Sequence, residues 1–89
     1  MLTPFYTKQF EKDLNKMLRQ GKDKEKIRSI ISRLVNKENL DKKNRNHKLT
    51  GNYKGRHECH IEPDWLLIYK IADDEIIFER TGTHSQLFK

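Results

Sequence analysis

Tyr53-Lys-Gly-Arg-His-Glu-Cys-His-Ile61-Glu-Pro63-Asp64-Trp65-Leu-Leu-Ile-Tyr-Lys-Ile71-Ala-Asp73-Asp74-Glu75-Ile-Ile-Phe-Glu-Arg-Thr81 is the stretch that decides the fold. Its side-chain character changes with a period of two, which marks strands. Pro63-Asp64 and Asp73-Asp74 are turn residues, and they separate three runs at about 53–61, 65–71 and 75–81. Connections this short join neighbouring strands of opposite direction, so an antiparallel meander is expected. In the first run Lys54, Arg56, Glu58 and His60 share one parity, and Tyr53, Gly55, His57, Cys59 and Ile61 share the other. One face is therefore cationic and titratable, and the opposite face is mostly apolar.

Upstream the period changes. Phe10, Leu14, Met17 and Leu18 recur at helical spacing, and Gly21 stands where a helix end needs a left-handed residue, which predicts a first helix over 7–20. Asp23 is an N-cap candidate, and Ile27, Ile30, Ile31, Leu34 and Val35 fit one face of a second helix. With only Gly21 and Lys22 between them, the two helices should form an antiparallel hairpin. Residues 2–6 suit a short strand, which Pro4 confines to an edge or a strand start. Residues 36–46 are polar and read as a connecting loop. The expected architecture is α+β: one domain over 1–89, with an N-terminal helical hairpin packed on a small antiparallel β-sheet.

The chain has 89 residues and a formal charge of +6, from 19 Lys and Arg against 13 Asp and Glu. That balance favours a polyanionic partner. Residues 42–60 concentrate it, carrying Lys42, Lys43, Arg45, Lys48, Lys54 and Arg56 against Glu58. The single cysteine, Cys59, excludes an internal disulfide and fits a reducing compartment. No apolar run follows a basic N-terminal segment, and the longest one, 65–69, is too short to cross a bilayer. A cytoplasmic protein without membrane contact is expected. Glycine-rich phosphate loops, dinucleotide fingerprints and Ser–His–Asp ordering are absent from the sequence.

All four histidines, His47, His57, His60 and His84, fall in the second half, interleaved with Glu58, Asp64, Lys54, Arg56 and Arg80. Imidazoles exchange protons near neutrality and fixed cations hold phosphate charge, so the set suits acid–base chemistry on a phosphodiester. Asp64 opens the second strand, and Arg80 ends the third and is followed by Thr-Gly-Thr-His84, which lets them converge on one end or face of the sheet. Trp65 fits either a core position or a base-stacking platform. Phe88 fits either packing at the sheet edge or contact with a base. His57-x-Cys59-His60 is not read as a metal site, because Cys59 and His60 point to opposite faces and the spacing matches no usual zinc pattern. No cofactor is expected.

With His47-Lys-Leu-x-Gly51, Lys54-Gly55, His60-Ile-Glu-Pro-Asp64-Trp65-Leu-Leu-Ile-Tyr69 and Glu79-Arg80-Thr-Gly-Thr-His84-Ser-x-Leu-Phe88, the chain resembles the YafQ branch of the RelE/ParE toxin superfamily. The resemblance implies a toxin of a type II toxin–antitoxin system. Such a toxin is a metal-independent endoribonuclease that cuts mRNA, typically in the ribosomal A site, and is silenced by a cognate antitoxin. It implies catalytic roles for His47, His60, Asp64 and His84, phosphate binding by Arg80, a strand acid in Glu58 and a C-terminal aromatic in Phe88. Lys48, Lys54, Arg56, Trp65 and Phe88 are the expected RNA-contacting set. In that mechanism His84 is the general acid, and Asp64, His60 or Glu58 supplies or orients the base. The chain departs from the pattern after Gly55, with Arg56-His57 where such sequences carry an aromatic followed by arginine, so both Lys54 and Arg56 stand as the cation beside the phosphate. Two other readings compete: a ParE-like inhibitor of DNA gyrase, and an RNA-binding module without catalysis.

Overall fold

A computed structural model of the chain describes residues 1–51 and 55–88. Its elements are β1 (Thr3–Tyr6), α1 (Lys8–Arg19), α2 (Lys24–Val35), a 3-10 turn (Lys42–Asn44), β2 (His47–Lys48), β3 (His57–Glu62), β4 (Trp65–Ala72), β5 (Glu75–Gly82) and α3 (His84–Leu87). Local chemistry sets the helix ends. The Thr7 hydroxyl accepts from the Phe10 N–H at the start of α1, and the Asp23 carboxylate accepts from the Glu25 N–H at the start of α2. Gly21, at φ 91°, makes the left-handed step that turns the chain between them.

The sheet runs in the order β1-β5-β4-β3-β2. β3, β4 and β5 form the expected meander, although Tyr53 and Lys54 of the predicted first strand lie outside the described residues. The sheet is larger than expected, and it is mixed. β1 pairs in parallel with β5, Thr3 opposite Glu75 and Tyr6 opposite Phe78, because the chain first crosses back through both helices and then reaches β5 as the last strand of the meander. At the other edge the two residues that follow the expected loop form β2, with His47 opposite Glu58.

One sheet face packs on the helices. Phe10, Met17, Ile27, Ile30 and Leu34 meet Cys59, Trp65, Leu67, Tyr69, Ile76 and Phe78 there. On the opposite face Leu66, Ile68 and Leu87 form a smaller cluster with Leu49 and Phe88 against it. Trp65 must be withdrawn from the RNA-contacting set. It is 0% exposed, and its indole N–H donates to the Thr81 hydroxyl at 2.9 Å, which in turn donates to the Leu66 carbonyl at 2.7 Å. Its parity places it with Leu67 on the helix side, where a large ring gains most from burial.

His57 also faces the helix side, stacked on Tyr69 with ring centroids 5.2 Å apart and planes 12° from parallel. Burial, and then the charge of Lys48, push its pKa below the usual 6.5. The unfolded chain therefore binds this proton more readily than the folded one. The stability involved is fully present above about pH 6.5 and is lost as the pH falls below it. Between pH 7.5 and 5.5 the melting temperature of the parent should fall more steeply than that of a His57→Phe variant, which keeps the stacking and loses the titration. Parallel profiles would remove His57 as the cause.

Candidate active site

The sheet register assembles the site. Across β2 and β3, His47 stands opposite Glu58; across β3, β4 and β5, Glu58 aligns with Ile68 and Arg80, and His60 aligns with Leu66 and Gly82. Directly opposed residues project to the same face, so these groups leave the side away from the helices. Glu58 is only 6% exposed, and its Oε1 lies 3.1 Å from His47 Nε2 and 3.4 Å from His60 Nε2. A buried carboxylate needs such partners to offset its lost hydration. The second ring nitrogens also face acceptors: His60 Nδ1 lies 3.1 Å from the Pro63 carbonyl and His47 Nδ1 lies 3.3 Å from the Lys48 carbonyl.

Asp64, in the turn between β3 and β4, accepts from the His84 backbone N–H at 2.9 Å and so ties the start of α3 to the His60 side of the site. Thr83 and Gln86 close a reciprocal capping box around that start. The His84 ring is exposed and leans on Phe88, with centroids 5.0 Å apart. Its ring nitrogens make no hydrogen bond to the described residues.

Arg80 reaches this face through an irregularity. Tyr69 pairs with Phe78, and Ile68 pairs with Arg80, which leaves Glu79 as an extra residue. Strict alternation from Phe78 would drive Arg80 into the core; the bulge resets the parity, sending Thr81 inward beside Leu67 and Arg80 outward. Asp13 of α1 then holds the guanidinium, accepting from Arg80 Nε at 2.7 Å and from the Thr81 N–H at 3.2 Å. Arg56 is held by Glu79, at 2.7 Å from Nε to Oε1. Lys48 is exposed beside His47, and Lys54 lies outside the described residues.

The structure thus gathers His47, Glu58 and His60, and ties Asp64 to His84. It places Arg80 in line with Glu58 and sets Phe88 against His84.

The sequence profile of the family described as "Bacterial toxin of type II toxin-antitoxin system, YafQ" matches residues 2–89. The chain belongs to the YafQ toxin family. It is 40% identical over 84 residues to the "mRNA interferase toxin YafQ" of Escherichia coli strain K12, covering 93% of this chain and 91% of that protein. Its fold superposes on YafQ in the DinJ–YafQ complex of E. coli with a TM-score of 0.92 and 38% identity, over 100% of both chains. A copper-bound mutant toxin from Helicobacter pylori gives a TM-score of 0.94 at 43% identity, covering 99% of this chain and 100% of that one.

In this YafQ-family chain three features of the site have no local sequence signal. Asp13 and Glu79, which hold the two arginines, look like ordinary surface acids on a helix and a strand. The bulge at Glu79 shows only in the pairing. His47, Glu58 and His60 also offer one ligand atom each within 4.8 Å of one another, a set that could hold a metal ion. The spacing argument weighed Cys59 with His60 and could not see this set, because His47 joins it across a strand pair.

Proposed function

We propose that the chain is an mRNA interferase that cleaves RNA by acid–base catalysis without a metal ion. The juxtaposition of His47, Glu58 and His60 carries this reading, since it places a carboxylate between two imidazole rings on the face that His84 borders. Glu58 takes the 2′-hydroxyl proton, with His47 and His60 beside its Oε1 to orient it. The 2′-oxygen attacks phosphorus, and His84 protonates the departing 5′-oxygen. Arg80 and the N–H donors of the two histidine rings hold the charge of the crowded phosphorane. The products are a 2′,3′-cyclic phosphate and a 5′-hydroxyl. The family resemblance adds the finer points of the proposal, which are cutting in the ribosomal A site, a cytoplasmic location and silencing by a cognate antitoxin. The antitoxin is supported by the DinJ complex of the E. coli relative and by the positive charge of this chain.

The purified protein should cut defined transcripts at fixed positions in primer extension, free or on translating ribosomes, with cyclic phosphate ends. EDTA should leave the rate unchanged. Stoichiometric Cu²⁺ should lower it, because an ion on His47, Glu58 and His60 takes up the groups that move protons. Loss of cutting in EDTA, restored by a divalent ion, would overturn the metal-free mechanism. Intact transcripts alongside damaged DNA would favour the gyrase reading.

A further inference from the structure

We infer that α1 carries a second RNA-binding surface, a cationic cleft that takes the phosphate backbone of the strand beyond the cleavage point. The inference rests on the RNA-cleaving reading for the identity of the polyanion, and on independent geometry for the cleft. Lys12, Lys16 and Arg19, at i, i+4 and i+7, form one exposed stripe about 10 Å long. They line a cleft of about 530 Å³ whose far wall is Arg80 and Gln86, so it opens directly off the candidate active site.

The charge of the α1 stripe is unspent. Among the described residues Lys12, Lys16 and Arg19 form no ion pair, whereas Lys22 and Lys26 pair with Glu62, Arg28 with Glu25 and Arg33 with Asp41. The one acid in the cleft, Asp13, does not oppose an incoming phosphate. Its oxygens accept from Gln9 Nε2, Arg80 Nε and Nη2 and the Thr81 N–H, so its charge is committed within the fold. Every lining residue is polar or charged. An amphipathic peptide would find no apolar residue to pack against there, while a phosphate chain would find cations and amide donors. Polar contacts without base-edge readout position a strand and leave sequence choice to the catalytic end.

The test measures binding of a fully 2′-O-methylated 12-nucleotide RNA, which cannot be cleaved, against salt concentration. Lys12→Ala/Lys16→Ala/Arg19→Ala should bind on the order of tenfold more weakly at physiological salt, and the log–log salt slope should shrink by about 2. The control Lys22→Ala/Lys26→Ala/Arg28→Ala removes the same formal charge from paired cations and should bind nearly as the parent does. Equal losses in both variants, or none in the first, would overturn the inference. So would unchanged RNA binding accompanied by weakened binding of poly-L-glutamate, which would assign the cleft to an acidic protein. Because the probe is not cut, a parent protein without nuclease activity would sink the catalytic proposal and leave this measurement able to succeed or fail separately.

Discussion

His84→Ala should lower RNA cleavage by about 10² to 10⁴, the range that a positioned proton donor contributes. At about 1.36 kcal/mol per tenfold change, this is roughly 2.7–5.4 kcal/mol of transition-state stabilisation. The variant should remain folded, because α3 is held by its Thr83–Gln86 capping box, by buried Leu87 and by the backbone N–H of residue 84 on Asp64, none of which uses the imidazole. RNA affinity should change little, since the ring is exposed and its neighbour is Phe88. The loss therefore belongs in kcat. A second substrate isolates the role. If His84 protonates the leaving 5′-oxygen, an RNA with sulfur at that bridging position, whose thiolate departs unprotonated, should be cut by the variant at close to the parent rate. Equal losses on both substrates would show that His84 positions the strand and transfers no proton. Unchanged cleavage of ordinary RNA would remove His84 from the mechanism.

Much of this site was legible because strands and caps obey short-range rules. Parity alone separated Glu58 and His60 from His57 and Cys59, and the structure keeps that division, with Cys59 in the core and Glu58 against two histidines. The helices were legible for the same reason, since Asp23 and the spacing of Ile27 to Val35 specify both start and face. What stayed hidden depends on pairing between distant segments. The parallel partner of β1 is chosen by a crossover of two helices, and no periodicity within Thr3–Tyr6 encodes it. The Asp13–Arg80 pair spans 67 residues and requires both the packing of α1 and the bulge. Trp65 shows the opposite limit. The sequence leaves it open to a core position or a base-stacking platform, and only its enclosure with Thr81 decides between them.

Phe78→Ala should destabilise the fold by about 3–5 kcal/mol, the usual cost of removing a buried ring without collapse of the space it leaves. Phe78 is 0% exposed, and its ring lies 5.3 Å from Tyr6, 6.1 Å from Phe10 and 6.3 Å from Tyr69, so it joins β1, α1 and β4 in one aromatic cluster. Those contacts come from elements on several sides, and the neighbouring rings cannot all shift into one vacancy. A domain of this size has a net stability of about 5–15 kcal/mol, so the loss is a large share of the total. Urea unfolding should show a lower midpoint with nearly unchanged slope, because the surface exposed on unfolding hardly differs. The residue also sits two positions before Arg80, on the strand whose bulge aims that side chain at the site. If the core only supports this face, the folded fraction of the variant should still bind RNA at the parent affinity below its unfolding midpoint. A loss under about 1 kcal/mol would show that the aromatic cluster repacks and does not fix β5. A marked fall in RNA affinity of the folded protein would show instead that the bulge depends on the ring behind it.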